Sequence, residues 1–142
     1  MRIYLMYGSD QNDLMPEYEY CNYAHTDGVA YPSQADEIYG PTVLNYIPLL
    51  EVMVYVDKYK KILRSGGELI IGGIDCYILS KLTLSRDLTE KQYNELLFSD
   101  PKFKAVHSLQ AVKALLQSRG FSINEINIEE NEARFTIKAT KV

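Results

Sequence analysis

Apolar residues along the chain form short runs typical of strands and longer periodic stretches typical of helices. The run Arg2–Tyr7 is rich in β-branched and aromatic residues and reaches Gly8, which predicts a buried strand. Tyr18–Tyr23 and Ala35–Tyr39 are two further strand candidates. The polar segment Ser9–Pro16 predicts a loop at a place where many folds have a helix.

The clearest periodicity lies in the middle of the chain. Apolar residues recur there at three- and four-residue spacing and predict one amphipathic helix: Leu49, Val52, Met53, Val56, Tyr59 and Leu63. Ser65-Gly66-Gly67 predicts the end of this helix, because glycine commonly follows a helix end. Glu68–Ile71 then predicts a strand that Gly72-Gly73 ends. A helix followed by a tight turn and a strand is a unit of parallel sheets.

The second half of the chain predicts three helices and a hairpin. Asp75, Thr89 and Ser108 each precede an apolar periodic stretch and can cap a helix. The predicted segments are helices Cys76–Leu84 and Glu90–Phe98, a helix from Ser108 to Gly120, and antiparallel strands Phe121–Ile128 and Ala133–Thr140. The whole pattern predicts an α/β, Rossmann-like open mixed sheet. It is mostly parallel with a C-terminal antiparallel hairpin, has helices on both faces, and is shortened in its N-terminal half.

Length and composition support one soluble domain over residues 1–142. The 46% of hydrophobic and 24% of charged residues are globular proportions, and the net charge of −4 argues against a nucleic-acid partner. The longest apolar run, Ile47–Leu50, is far shorter than the about 20 residues that span a bilayer, and no signal peptide is recognisable. We therefore expect a cytoplasmic protein without a membrane partner.

The two cysteines, Cys21 and Cys76, belong to no Cys/His cluster, so we expect no metal site. Their spacing allows one disulfide. Two buried free thiols are the favoured interpretation, because both residues lie in apolar surroundings.

Three phrases of the sequence, taken in order, resemble the class I S-adenosylmethionine-dependent methyltransferases, and most closely a small bacterial and phage branch. The phrases are residues 35–48 (ADEIYGPTVLNYIP), 62–71 (ILRSGGELII) and 115–121 (LLQSRGF). The resemblance is good from Ala35 to the C-terminus and weak over Met1–Gln34. It implies a seven-stranded sheet with S-adenosylmethionine across the carboxyl ends of the first strands.

The resemblance also implies cofactor contacts at the ends of these strands. Tyr7 and Gly8 stand where the family has a glycine-rich loop, and Gly40-Pro41 lies at the same edge. Asn22 matches the acidic residue that binds the ribose, and Asp27 matches the residue that contacts the adenine amino group. A plain turn is the alternative interpretation for Gly8, Asp27 and Gly40-Pro41.

Several positions on the cofactor side depart from the family pattern. Met6 and Asp10 stand where glycines are expected, and Asn45 and Tyr46 replace Glu and His. These departures fit a divergent enzyme, and they also fit a protein that has lost cofactor binding.

No catalytic residue is assigned by the sequence. Methyl transfer rests largely on positioning, although a base helps when the acceptor must lose a proton. Tyr46, Asp75 and His107 are the candidate bases. A helix cap is the favoured interpretation of Asp75, and a surface histidine that of His107.

Two functions therefore stand side by side. The first is a methyltransferase-like protein that uses S-adenosylmethionine on an unknown, small-molecule or other acceptor; the second is a noncatalytic Rossmann-like interaction module. The chain has twelve tyrosines, three of them in Tyr18–Tyr23. They predict either packing at the edge of the core or a tyrosine-rich surface in a homodimer.

Overall fold

One open sheet organises the molecule. The structure, a computed structural model, describes residues 1–6 and 16–142. Six strands follow the spatial order β2-β1-β3-β4-β6-β5. They are β1 (Arg2–Met6), β2 (Glu19–Asn22), β3 (Ala35–Gly40), β4 (Leu63–Ile74), β5 (Phe121–Glu129) and β6 (Arg134–Lys141). β1 to β4 are parallel, whereas β6 runs antiparallel to β4 and to β5. The prediction of an open mixed sheet is confirmed, with six strands in the described residues where the resemblance implies seven.

Four helices connect or follow these strands. They are α1 (Val52–Ile62), α2 (Cys76–Leu84), α3 (Glu90–Phe98) and α4 (Leu109–Ser118), with short 3-10 helices at Thr26–Gly28, Val43–Tyr46, Leu49–Glu51 and Glu130–Glu132. The three predicted caps are confirmed: the side chains of Asp75, Thr89 and Ser108 each accept a backbone N–H of the helix that follows. The predicted loop at Ser9–Pro16 lies, except for Pro16, outside the described residues.

The helices are distributed unevenly over the two faces. α1 and α4 pack with the buried side chains of the sheet into the main core, which includes Leu5, Ile71 and Ile137. α2 and α3 form a smaller cluster around Ile74 and Ala133. Ile74 lies on the opposite face from Ile71, because side chains alternate along a strand. Helices therefore pack on both faces of the sheet, but α2 and α3 contact the second face at the carboxyl end of β4.

Tyrosines occupy the second face of β1, β2 and β3. Tyr4 stacks on Tyr20 with ring centroids 5.1 Å apart, and it lies 5.3 Å from Tyr39. The guanidinium of Arg2 lies 4.6 Å from the centroid of the Tyr18 ring. Tyr18 and Tyr20 thus pack at the edge of the sheet, as one of the two sequence interpretations expects.

The predicted ends of two elements are wrong. α1 ends at Ile62, before Ser65-Gly66-Gly67, and β4 begins at the next residue. Lys141 terminates the helix, because its ammonium donates to the carbonyl oxygens of Lys60 and Leu63 at 2.8 and 2.7 Å.

Gly72-Gly73 does not end β4, which continues to Ile74. A Cβ atom at position 72 would lie 2.2 Å from the carbonyl oxygen of Phe135 and 2.5 Å from that of Pro41. Glycine is required there because two other backbone segments approach the strand closely.

The predicted apolar stripe of α1 is buried only in part. Val52, Val56 and Tyr59 are buried as predicted, but Leu49 is 66% exposed and Met53 46% exposed. Periodicity identifies the helix, yet α1 turns only one side of its first turns to the core. Both cysteines are free thiols, as the favoured interpretation expects. Cys21 is buried, which raises its pKa to about 11, whereas Cys76 is only half-buried.

Candidate functional site

The carboxyl ends of β1, β2 and β3 form one edge of the sheet. Met6 pairs with Asn22, and the Tyr23 amide donates to the Met6 carbonyl at 2.9 Å, so β1 and β2 end together. From β1 the chain first passes to β2 and then crosses to β3 on the other side of β1. A reversal of this kind opens a crevice at the carboxyl ends of the strands, where open α/β sheets bind ligands.

Two of the predicted cofactor contacts lie on the β2 side of this crevice. Asn22 is exposed and its side-chain oxygen accepts the Ala24 amide at 2.9 Å, which turns the chain after β2. Asp27 is also exposed and lies in the 3-10 helix Thr26–Gly28. Both side chains present polar atoms to solvent near the strand end. Tyr7 and Gly8, and likewise Asp10, lie outside the described residues.

Gly40 and Pro41 lie on the β3 side of the crevice. A Cβ atom at Gly40 would meet the Leu5 side chain at 2.9 Å and the Cβ of Val43 at 3.1 Å. Glycine is therefore explained there by close packing between β1 and the turn after β3. Pro41 borders an open groove of about 540 Å³ on the second face of the sheet, together with Tyr39, Ile70, Glu125, Asn127, Ile128, Glu129, Thr136 and Lys138.

Tyr23 links the two sides of the crevice, a role that the sequence analysis missed. Its hydroxyl donates to the Tyr46 carbonyl at 3.3 Å, although Tyr23 follows β2 and Tyr46 follows β3. The Tyr59 hydroxyl of α1 donates to the Tyr23 carbonyl at 2.9 Å. Burial raises the pKa of Tyr23, so its hydroxyl stays protonated. The crowding of tyrosines in Tyr18–Tyr23 was the only sequence signal for this link.

Asp75 is a double cap. It is 4% exposed, and its carboxylate accepts the amide of Ile78 in α2 at 2.8 Å and that of Leu109 in α4 at 2.7 Å. Both oxygens are thus engaged in positioning helices. The favoured interpretation as a helix cap is confirmed, and the second helix that Asp75 holds could not be read from the sequence.

The expectation of a surface histidine at position 107 is wrong. His107 is 2% exposed, and its Nε2 donates to the carbonyl oxygens of Leu44 and Ile47 at 2.7 and 3.0 Å. Burial lowers the pKa of its imidazole. The same residue extends β4, because its amide donates to the Ile74 carbonyl at 3.1 Å. His107 thus fastens the segment after β3 to the end of β4.

Tyr46 and Asn45 complete this junction. The Tyr46 hydroxyl donates to the Asp100 carboxylate at 2.7 Å, which lowers the pKa of Asp100. Asn45 is fully buried, and its side-chain oxygen accepts the Ile74 amide at 2.9 Å. Candidate bases near β4 are therefore occupied by hydrogen bonds within the protein.

Two kinds of feature are missing from the part of the chain that the structure describes. Within residues 1–6 and 16–142, His, Cys, Asp and Glu side chains form no group that could hold a metal ion. Over the same ranges no helix combines the length and the apolar character needed to cross a bilayer.

Comparison with known proteins gives a fold and no closer kinship. No protein-family model and no curated protein matches the sequence. Among solved structures, an S-adenosylmethionine-dependent methyltransferase from Methanosarcina mazei superimposes with a TM-score of 0.62 at 17% identity. The superposition covers 89% of this chain and 67% of the Methanosarcina chain.

Two further structures agree with this result. Magnesium protoporphyrin IX methyltransferase from Synechocystis, with bound S-adenosylhomocysteine, has a TM-score of 0.59 at 15% identity and is covered over 51% of its length. A methyltransferase from Archaeoglobus fulgidus has a TM-score of 0.58 at 9% identity. The chain thus spans about half of the Synechocystis enzyme and has the fold of the class I methyltransferases.

Proposed function

We propose that this chain binds S-adenosylmethionine at the carboxyl edge of β1, β2 and β3 and transfers its methyl group to an acceptor. The observation that carries the proposal is the exposed pair Asn22 and Asp27 beside the point where strand order reverses. When bound, the sulfonium supplies an activated methyl group. Asn22 would accept hydrogen bonds from the ribose hydroxyls, and Asp27 would accept a hydrogen bond from the adenine amino group.

The side chains on the β2 side of the crevice have the chemical character that a nucleoside requires. Tyr23, the residue after Asn22, offers an aromatic ring that packs against Tyr55 of α1, and an adenine slot needs apolar walls with a few polar contacts. We expect the acceptor in the groove that begins at Pro41 and continues between Tyr39, Ile70 and Lys138.

Positioning would supply most of the rate in this enzyme. Asp75 and His107 are buried in hydrogen bonds that hold the fold, so neither is available to take a proton from an acceptor. An acceptor whose nucleophilic atom is already deprotonated at neutral pH therefore suits this site best.

Calorimetric titration with S-adenosylmethionine and with S-adenosylhomocysteine tests the proposal. We expect binding that weakens about 10-fold in Asn22→Ala, because one hydrogen bond is lost. Asn131→Ala is the matched control, since Asn131 is exposed in the turn between β5 and β6, and three strands separate β2 from that hairpin. Absence of heat and of any thermal shift at millimolar ligand would contradict the proposal.

A noncatalytic interaction module is the second candidate, and a specific contact favours it. The Tyr23–Tyr46 hydrogen bond spans the crevice, and Leu5 and Val43 fill the space at Gly40. Tyr23→Phe separates the two candidates. The variant loses the hydrogen bond between the Tyr23 hydroxyl and the Tyr46 carbonyl but keeps the aromatic ring. The affinity for S-adenosylmethionine therefore stays unchanged if the nucleoside lies beside that ring. A gain of binding from an undetectable level would show that the bond closes the crevice.

A further inference from the structure

The imidazole of His107 has one nitrogen that the fold does not use. Its Nε2 lies 2.7 and 3.0 Å from the carbonyl oxygens of Leu44 and Ile47, and a carbonyl oxygen can only accept a hydrogen bond. Nε2 therefore carries the proton. Burial lowers the pKa of the ring, so the ring is neutral at pH 7 and Nδ1 holds a lone pair. Nδ1 has no hydrogen-bond partner among residues 1–6 and 16–142.

A small depression between the start of α1 and α4 borders His107. It measures about 160 Å³ and is open to solvent. Apolar side chains form most of its remaining wall: Leu49, Val52, Ala111, Val112 and Leu115. Its volume is close to the roughly 150 Å³ of an engineered apolar cavity that admits benzene. A single six-membered ring is therefore the size of guest that this α1–α4 depression accommodates.

Water is a poor partner for a lone pair in such surroundings. A well-held water needs two to four polar partners. Among the described residues that line the depression, Ser108 has the one other polar side chain, and its Oγ already accepts the Ala111 amide at 3.3 Å. A ligand that brings its own hydrogen-bond donor and an apolar body gains affinity when it displaces a water of this kind.

We propose that the α1–α4 depression binds a small neutral ring compound of the phenol class, whose hydroxyl donates to Nδ1 of His107 while the ring packs against Leu49 and Leu115. The ligand must carry a donor, because the unused nitrogen is an acceptor. It must be uncharged, because an anion would lose its hydration against apolar walls and face a lone pair.

This site is separate from the proposed S-adenosylmethionine site. α1 and α4 pack on the main-core face of the sheet, whereas the groove expected to hold the methyl acceptor lies on the second face. An acceptor in that groove therefore cannot reach Nδ1 of His107. Phenol binding is expected whether or not the crevice binds a nucleoside.

NMR titration of the ¹⁵N-labelled protein with phenol tests the proposal. We expect a Kd of about 1 mM, because a single ring buries little surface. Benzene lacks the donor, and anisole has an ether oxygen in its place. Both are expected to bind about 10-fold more weakly, because one hydrogen bond is lost.

The imidazole ¹⁵N resonances of His107 give a second readout. A hydrogen bond to the lone pair should move the Nδ1 resonance upfield in the presence of phenol, whereas benzene should leave it in place. The same spectrum of the free protein should show the proton on Nε2.

Two substitutions in α4 test the location. Ala111→Phe fills the depression with a ring from the protein itself and is expected to abolish phenol binding up to about 10 mM. Ala114→Phe is the matched control, because Ala114 is also exposed on α4 and does not line the depression. Both positions are exposed, so circular dichroism should show an unchanged fold in the two variants.

Four results would overturn the proposal. They are absence of phenol binding up to about 10 mM, equal affinities for phenol and benzene, a proton on Nδ1 in the free protein, and phenol binding that survives Ala111→Phe. None of these measurements involves S-adenosylmethionine, so a failure here and a failure of the proposed function are distinguishable.

Discussion

Polar residues have different roles at the carboxyl ends of β4 and β2, which lie along the same edge of the sheet. Around the end of β4, Asn45, Asp75 and His107 are 0%, 4% and 2% exposed, and the Asn45 side-chain oxygen, the Asp75 carboxylate and the His107 Nε2 are hydrogen-bonded within the protein. The Asn45 side-chain nitrogen has no partner among the described residues. Around the end of β2, Asn22 and Asp27 are exposed and make only local contacts or turns. Polar groups that hold the fold are unavailable to a ligand, so the candidate site lies on the β2 side.

Because of this contrast, mutations at the two places should change different properties of the protein. Changes near β4 should act on the free energy of unfolding, because buried polar and close-packed atoms have no alternative partners. Changes near β2 should act on ligand binding and leave stability almost unaltered.

The largest effect is expected from Gly72→Ala in β4. The new Cβ would collide with the carbonyl oxygens of Phe135 and Pro41, which belong to backbone that cannot move independently. We expect a loss of about 3 kcal/mol or more in the free energy of unfolding, measured by urea denaturation. Gly28→Ala, beside Asp27, is the control, since no atom lies within 4 Å of its new Cβ. Equal stability of the two variants would remove the close approach as the reason for Gly72.

Asp75→Asn should have the next largest effect. The amide keeps one acceptor oxygen but turns an NH2 group toward one of the two backbone N–H donors that Asp75 now accepts. We expect a loss of about 2–3 kcal/mol in urea denaturation. Asp27→Asn, at an exposed position, should change stability by no more than about 0.5 kcal/mol. A similar loss in both variants would contradict the contrast.

His107 should make stability depend on pH. Because burial lowers its pKa, the unfolded chain binds more protons than the folded one between that pKa and about 6.5. The free energy of unfolding should therefore fall as the pH drops below about 6.5 and level off below the folded pKa. Urea midpoints between pH 5 and 8 measure this slope. His107→Gln should flatten this slope, and an unchanged slope in the variant would contradict the role of His107.

The smallest change in stability is expected from Asn22→Asp. The carboxylate can still accept the Ala24 amide, so the free energy of unfolding should shift by no more than about 0.5 kcal/mol. A charged acceptor for ribose hydroxyls should tighten S-adenosylmethionine binding several-fold in calorimetry. Asn131→Asp carries the same charge change at the hairpin and should not alter affinity. An equal gain in both variants would point to net charge instead of a local contact.

The element pattern could be predicted because it rests on local chemistry. The caps Asp75, Thr89 and Ser108 each bind a backbone N–H within the next few residues, and β6 alternates buried with half-buried residues. Errors arose where a distant segment decides. Lys141 of β6 ends α1, and the backbone oxygens of Phe135 and Pro41 require Gly72 inside a strand.

The candidate site shows the same division. Asn22 and Gly40 could be placed at strand ends, and Asp27 in the segment after β2, from the resemblance and the strand pattern. The burial of His107 could not, since it depends on carbonyl oxygens about 60 residues earlier in the chain. The hydrogen bond from Tyr23 to Tyr46 likewise depends on the tertiary structure, because β2 and β3 lie on either side of β1 and end at the same edge of the sheet.

By itself, then, the sequence determined which segments become strands and helices and in what order, because periodicity and capping act over a few residues. Only the tertiary structure decided which polar residues are consumed by the fold and which face solvent. It also decided that the 3-10 helix Leu49–Glu51 and the first turn of α1 expose Leu50, Met53 and Val54. The physical reason is that burial and hydrogen-bond partnership are properties of segments brought together from distant parts of the chain.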